Sequence, residues 1–124
     1  MKFRNGFVSN SSSSSFVIAL PSFPKTIEEL KHQLFKNKAI HHGPYDYRST
    51  LDIAQRVFSD ISQKIPTPHD LLISFLKDEE YPANFLKENY DKVFYILDYE
   101  DSTDSFMEHG EIFYNVPNIR INRH

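Results

Sequence analysis

The chain has 124 residues, 14 Lys/Arg against 17 Asp/Glu, a net charge of -3 and a pI near 6.0. That length supports one domain, 1–124, rather than two, and the mild acidity argues against a generic polyanion binder. Cysteine is absent, which excludes disulfides, thiolate zinc sites, iron–sulfur clusters and a thiol nucleophile.

Residues 1–20 read MKFRNGFVSNSSSSSFVIAL. The basic start, Lys2 and Arg4, leads into a polar tract instead of the apolar stretch of a secretion signal. Phe16 to Leu20 form a short apolar run stopped by Pro21, which predicts a buried strand over 16–20. No apolar run approaches the roughly 18 residues of a membrane helix. The serine run, Ser11 to Ser15, has the composition of a linker. Its setting differs from a linker's, because Phe7-Val8 and Phe16-Val17 flank it closely. An anion cradle is a poor fit, since phosphate loops use glycine for close backbone approach.

Thr26 and Glu29 form a capping box, and Ile27, Leu30 and Leu34 continue it as a helical stripe. A helix is predicted over 27–36. Residues 37–47 read as a loop broken at Gly43-Pro44, with His41 and His42 on its surface. Ser49 caps a second helix over 50–65, whose stripe is Leu51, Ala54, Val57, Phe58, Ile61 and Ile65. Pro66 ends it. Thr67, Pro68 and Asp70 suit the start of a third helix, 68–77, and Tyr81-Pro82 opens a fourth, 82–90.

The C-terminal third changes character. Val93 to Leu97 are β-branched or aromatic, and the strand 93–98 reads as the central one, buried on both faces. Further strands are predicted over 112–116 and, by clean alternation, over 119–122. The long helical insert between 16–20 and 93–98 favours parallel pairing through a crossover, with the last strands added as a hairpin. The fold class is therefore α/β: a small mixed sheet of three to four strands packed by helices.

Charge is uneven. Residues 1–64 carry nine Lys/Arg against five Asp/Glu, and 65–124 carry five against twelve. No Lys or Arg occurs from Val93 to Asn118. Asp98 and Glu100 end a strand at a spacing of two, which puts both carboxylates on one face. With Asp101 and Asp104 they make an acidic face for a basic partner. The same segment offers a second reading. Asp98, Glu100, Asp101, Glu108 and His109 are an oxygen-rich set suited to Mg²⁺ or Mn²⁺, able to activate water for hydrolysis. The spacing does not match a calcium-binding helix–loop–helix. No Gly-x-Ser-x-Gly elbow, Walker loop, dinucleotide fingerprint or HExxH pattern exists. His32 and His69 sit in helix turns without a visible partner. The basic residues of the first half are too few and scattered to argue for nucleic-acid binding.

Arg4, Asn5, Gly6, Phe7, Val8, Ser9, Asn10, Ser11, Ser12, Ser13, Ser14, Ser15 and Phe16 together resemble a recurrent N-terminal signature, GFVSNSSSSSF after a basic residue. It opens small uncharacterised proteins of tailed bacteriophages and some bacteria. The closing segment, Met107-Glu108-His109-Gly110 with Phe113, Asn115, Pro117 and Ile119-Arg120-Ile121, is similar to the tail of some such proteins. Asn118 stands where they often have His. The resemblance implies a phage origin and names no activity. Residues 1–15 are then a Ser-rich signature segment, either a handle read by another molecule or a stretch packed into the domain. The functional expectation is a non-enzymatic phage accessory protein without a cofactor. It binds a host or phage protein through Asp98, Glu100, Asp101 and Asp104 in the cytoplasm of the infected cell. The metal-dependent hydrolase is the alternative.

Overall fold

The computed structural model describes residues 13–78 and 84–123. It is a mixed α/β fold with elements in the order β1 (Ser13–Leu20), α1 (Ile27–Phe35), β2 (Ile40–His42), β3 (Tyr47–Ser49), α2 (Thr50–Ser62), α3 (His69–Asp78), α4 (Asn84–Glu88), β4 (Val93–Glu100), α5 (Asp101–His109) and β5 (Asn118–Arg123). β4, β1 and β5 form one sheet in that order, and β2 and β3 form a separate hairpin.

β1 is the centre of the sheet because it is the strand that tolerates burial on both faces. Val17, Ile18, Ala19 and Leu20 are all 0% exposed. Phe16, Ile18 and Leu20 face Leu30, Leu34 and Phe35 of α1, Ile53, Val57 and Ile61 of α2, and Phe106 and Met107 of α5. Val17 and Ala19 face the other way, towards Leu72 and Leu76 of α3 and Leu86 of α4. The result is three layers, with the larger core under α1, α2 and α5. Burying each such aliphatic side chain is worth roughly 1.5–3 kcal/mol.

The expected helices form near their expected bounds, and their caps explain why. Thr26 accepts a hydrogen bond from the Glu29 amide at 3.1 Å, and the Glu29 side chain accepts from the Lys25 amide at 2.8 Å. Ser49 accepts from the Asp52 amide at 3.0 Å. The first two residues predicted for the fourth helix, 82 and 83, lie outside the described residues.

Five features differ from the expectations. Among the described residues β4 is the edge of the sheet, not its centre. Its second half carries Asp98 and Glu100, both exposed, and an edge lets those charges stay hydrated. β1 and β4 pair antiparallel, with Leu20 opposite Val93; the helices between them return the chain to the end of β1 at which it left. Residues 112–116 are consecutive turns, closed by the Val116 amide on the Phe113 carbonyl at 3.1 Å. Ile112, Phe113 and Val116 are still buried, so the apolar run reports burial without a ladder. Finally, the loop over 37–47 holds the β2–β3 hairpin, closed by the Gly43 amide on the Asp46 carbonyl at 2.7 Å. The segment after Glu100, for which the sequence predicts no regular element, is α5.

Candidate functional site

Hydrogen-bond parity in β4 locates its open edge. The Thr67 amide donates to the Phe94 carbonyl at 2.7 Å from the outer side. Successive residues alternate direction, so Phe94, Ile96 and Asp98 turn their backbone groups away from β1, and Glu100 turns its N–H that way. Tyr95, Leu97 and Tyr99 turn theirs towards it. Among the described residues no strand pairs with that outer edge beyond Phe94. Of the four acidic residues expected to form a binding face, Asp98 therefore turns both its N–H and its C=O outward, and Glu100 turns its N–H outward while its C=O, as the N-cap of α5, serves the helix.

Asp98 and Glu100 share one face, as their spacing predicted, and both are exposed. Ser15 of β1 lies directly opposite Asp98 and its hydroxyl donates to the Asp98 carboxylate. Ser15 is 1% exposed, so a buried donor holds the exposed carboxylate in place. Asp101 and Asp104 belong to the first half of α5, directly after β4; their side chains lie outside the described residues.

On the other side of this edge, α2 and β4 enclose a cleft of about 320 Å³ lined by Arg56, Asp60, Gln63, Lys64 and Leu97 to Tyr99. The Tyr99 hydroxyl donates to Asp60 at 2.7 Å, and Arg56 pairs with Asp60 at 3.1 Å. The Arg56 guanidinium also lies 5.3 Å from the Tyr99 ring centroid. These contacts fix the cleft floor and offset the charge of Asp60.

Glu108 and His109 do not join Asp98 and Glu100. Glu108 is 2% exposed and points to the opposite face of the sheet. There it accepts from the Ser14 hydroxyl at 2.7 Å, with Arg120 at 3.7 Å and His109 at 3.0 Å. Arg120 in turn donates to Ser14 at 3.1 Å. The carboxylate ties α5 to β1 and β5 through its Oε2, while its Oε1 has no hydrogen-bond partner among the described residues. The set proposed for Mg²⁺ or Mn²⁺ is thus split by the sheet. Among the described residues no three His, Asp or Glu side chains converge on a metal position.

The serine signature has a visible role at its end. Ser13, Ser14 and Ser15 belong to β1, and the last two reach carboxylates on opposite faces, Glu108 and Asp98. The signature positions Arg4, Gly6, Phe7, Ser9, Asn10, Ser11 and Ser12 lie outside the described residues, whereas Phe16 packs against Tyr99 and Phe113. A signal for the serine roles existed: they continue the alternation of the apolar run backwards along the strand.

Of the histidines, His41 is not a surface loop residue. It is 5% exposed, its Nε2 lies 2.5 Å from the Gly110 carbonyl, and its ring stacks on Tyr114 at 5.6 Å. His42 is exposed. His69 does have partners, Tyr90 at 4.4 Å and Phe94 at 5.6 Å between ring centroids. Tyr90 is 66% exposed. A second cavity, about 420 Å³, is bordered by His41, His42, His109, Lys38 and Tyr114.

No helix among the described residues is long and apolar enough to cross a membrane. No family model matches the sequence, and no curated protein and no solved structure shows significant similarity to it.

Proposed function

We propose that this protein is a non-enzymatic binding module that takes up an extended, basic segment of a partner protein along the outer edge of β4. The observation that carries this reading is the coincidence of outward N–H groups and exposed carboxylates at Asp98 and Glu100. Strand addition draws affinity from main-chain hydrogen bonds and specificity from alternate side chains. A lysine or arginine opposite Asp98 or Glu100 meets a carboxylate; an acidic residue there is repelled. The resemblance at the N terminus makes the protein a phage accessory factor in this reading. Its partner is then a host or phage protein met in the cytoplasm of the infected cell.

The test uses a ¹⁵N-labelled protein and short capped peptides of alternating Lys and Val or alternating Glu and Val. The Lys peptide is expected to give saturable shifts at the Ile96, Asp98 and Glu100 amides, and the Glu peptide none. Asp98→Lys with Glu100→Lys is expected to weaken binding about tenfold, equivalent to about 1.4 kcal/mol. Equal affinity for the two peptides, or undiminished binding by the double variant, overturns the assignment.

A further inference from the structure

Side chains of an added strand alternate between two faces, and the two faces of the β4 edge differ in charge. Residues paired opposite Asp98 and Glu100 project beside those carboxylates. The residue between them projects to the other face, where the cleft of about 320 Å³ opens against α2. Two cations, Arg56 and Lys64, and two carboxylates, Asp60 and Asp98, border that cleft, and Asp98 is held by the Ser15 hydroxyl. Asp60 is already held by Arg56 and by the Tyr99 hydroxyl. Lys64 is exposed, and its backbone N–H is held by the Ile61 carbonyl at 3.0 Å in the turn that ends α2. An exposed residue that lines the cleft, Lys64 stands at its rim, with its side chain in reach of the incoming chain.

We infer that the partner segment alternates basic and acidic residues, and that Lys64 sets the preference for an acidic side chain in the cleft. This rests on the strand-addition reading and narrows its partner from a basic segment to one with a Lys/Arg–Glu/Asp–Lys/Arg pattern. An apolar residue in the cleft meets a polar wall of Arg56, Asp60, Gln63 and Lys64. A carboxylate there meets the rim cation Lys64, since the charges of Arg56 and Asp60 offset each other. The two faces then select opposite charges, so a uniformly basic chain satisfies only one of them.

The experiment compares a capped peptide of alternating Lys and Glu with the alternating Lys and Val peptide, by calorimetry at low ionic strength. Wild type is expected to bind the Lys–Glu peptide about three- to fivefold more tightly, the scale of an exposed ion pair. Lys64→Glu, a surface change, is expected to reverse that order. Equal affinity of wild type for both peptides, or an order unchanged in Lys64→Glu, overturns the role of Lys64 and leaves strand addition standing. Failure of both peptides to bind overturns strand addition and this inference together.

Discussion

Tyr95 carries a hydroxyl that the core does not use. The residue is 0% exposed, and its Oη has no hydrogen-bond partner among the described residues. Burial pushes its pKa above the usual 10.0. The folded state therefore keeps the phenolic proton to higher pH than the unfolded chain does. Stability from this source is intact below pH 10 and falls as the pH rises through the folded-state value. Tyr95→Phe removes the unmet hydroxyl and is expected to be neutral or stabilising by about 1 kcal/mol at neutral pH. Its melting temperature should also fall less than wild type's above pH 10. Thermal melts on both sides of pH 10 check this; a clear loss at neutral pH would mean that the hydroxyl has a partner. Single residues were legible where their role is local. Thr26, Glu29 and Ser49 act within one turn, and their capping was readable from spacing. Glu108, Ser14 and His41 were not, because their partners lie 94, 94 and 69 positions away in sequence.

Elements with a strong helical stripe or cap were readable, and those that draw order from distant contacts were not. α5 carries only Phe106 and Met107 as buried apolar residues, too few for a periodic signal. The β2–β3 hairpin is three residues per strand, below the length at which alternation can be counted. Residues 112–116 show the reverse error, an apolar run without a ladder. The end of α1 offers a direct test of local strain. Lys36 caps it at φ 58° and ψ -125°, a left-handed conformation that a Cβ disfavours. Its amide donates to the His32 carbonyl at 2.9 Å, a bond that glycine keeps. Lys36→Gly is expected to stabilise the fold by about 1 kcal/mol, since it relieves the side-chain clash at an exposed position. Chemical denaturation measures it, and a destabilised variant would show that the lysine side chain contributes more than its backbone strain removes.

Across the whole molecule, charge polarity and layer architecture were legible, and strand order was not. The apolar content of 93–97 fits a central strand as well as an edge one. What decides is that β1 is uncharged throughout, whereas β4 ends in Asp98 and Glu100. Parity along β4 turns this into a prediction about proline. Leu97 sits opposite Phe16 and directs its N–H into the ladder with β1. Asp98 directs its N–H outward. Proline removes a ladder bond only where the N–H is paired, and is tolerated at the outward positions of an edge. Leu97→Pro is therefore expected to destabilise by about 3 kcal/mol or more. Asp98→Pro loses the Ser15 contact and is expected to cost about 1 kcal/mol, yet to abolish capture of the Lys–Val peptide, which needs that N–H. Melting curves and a binding titration on the two variants separate the outcomes. If Asp98→Pro unfolds the protein as deeply as Leu97→Pro, the outer edge of β4 is already paired in the folded chain and is not a docking strand. If it folds and still binds, the peptide docks elsewhere, and the acidic edge serves solubility alone.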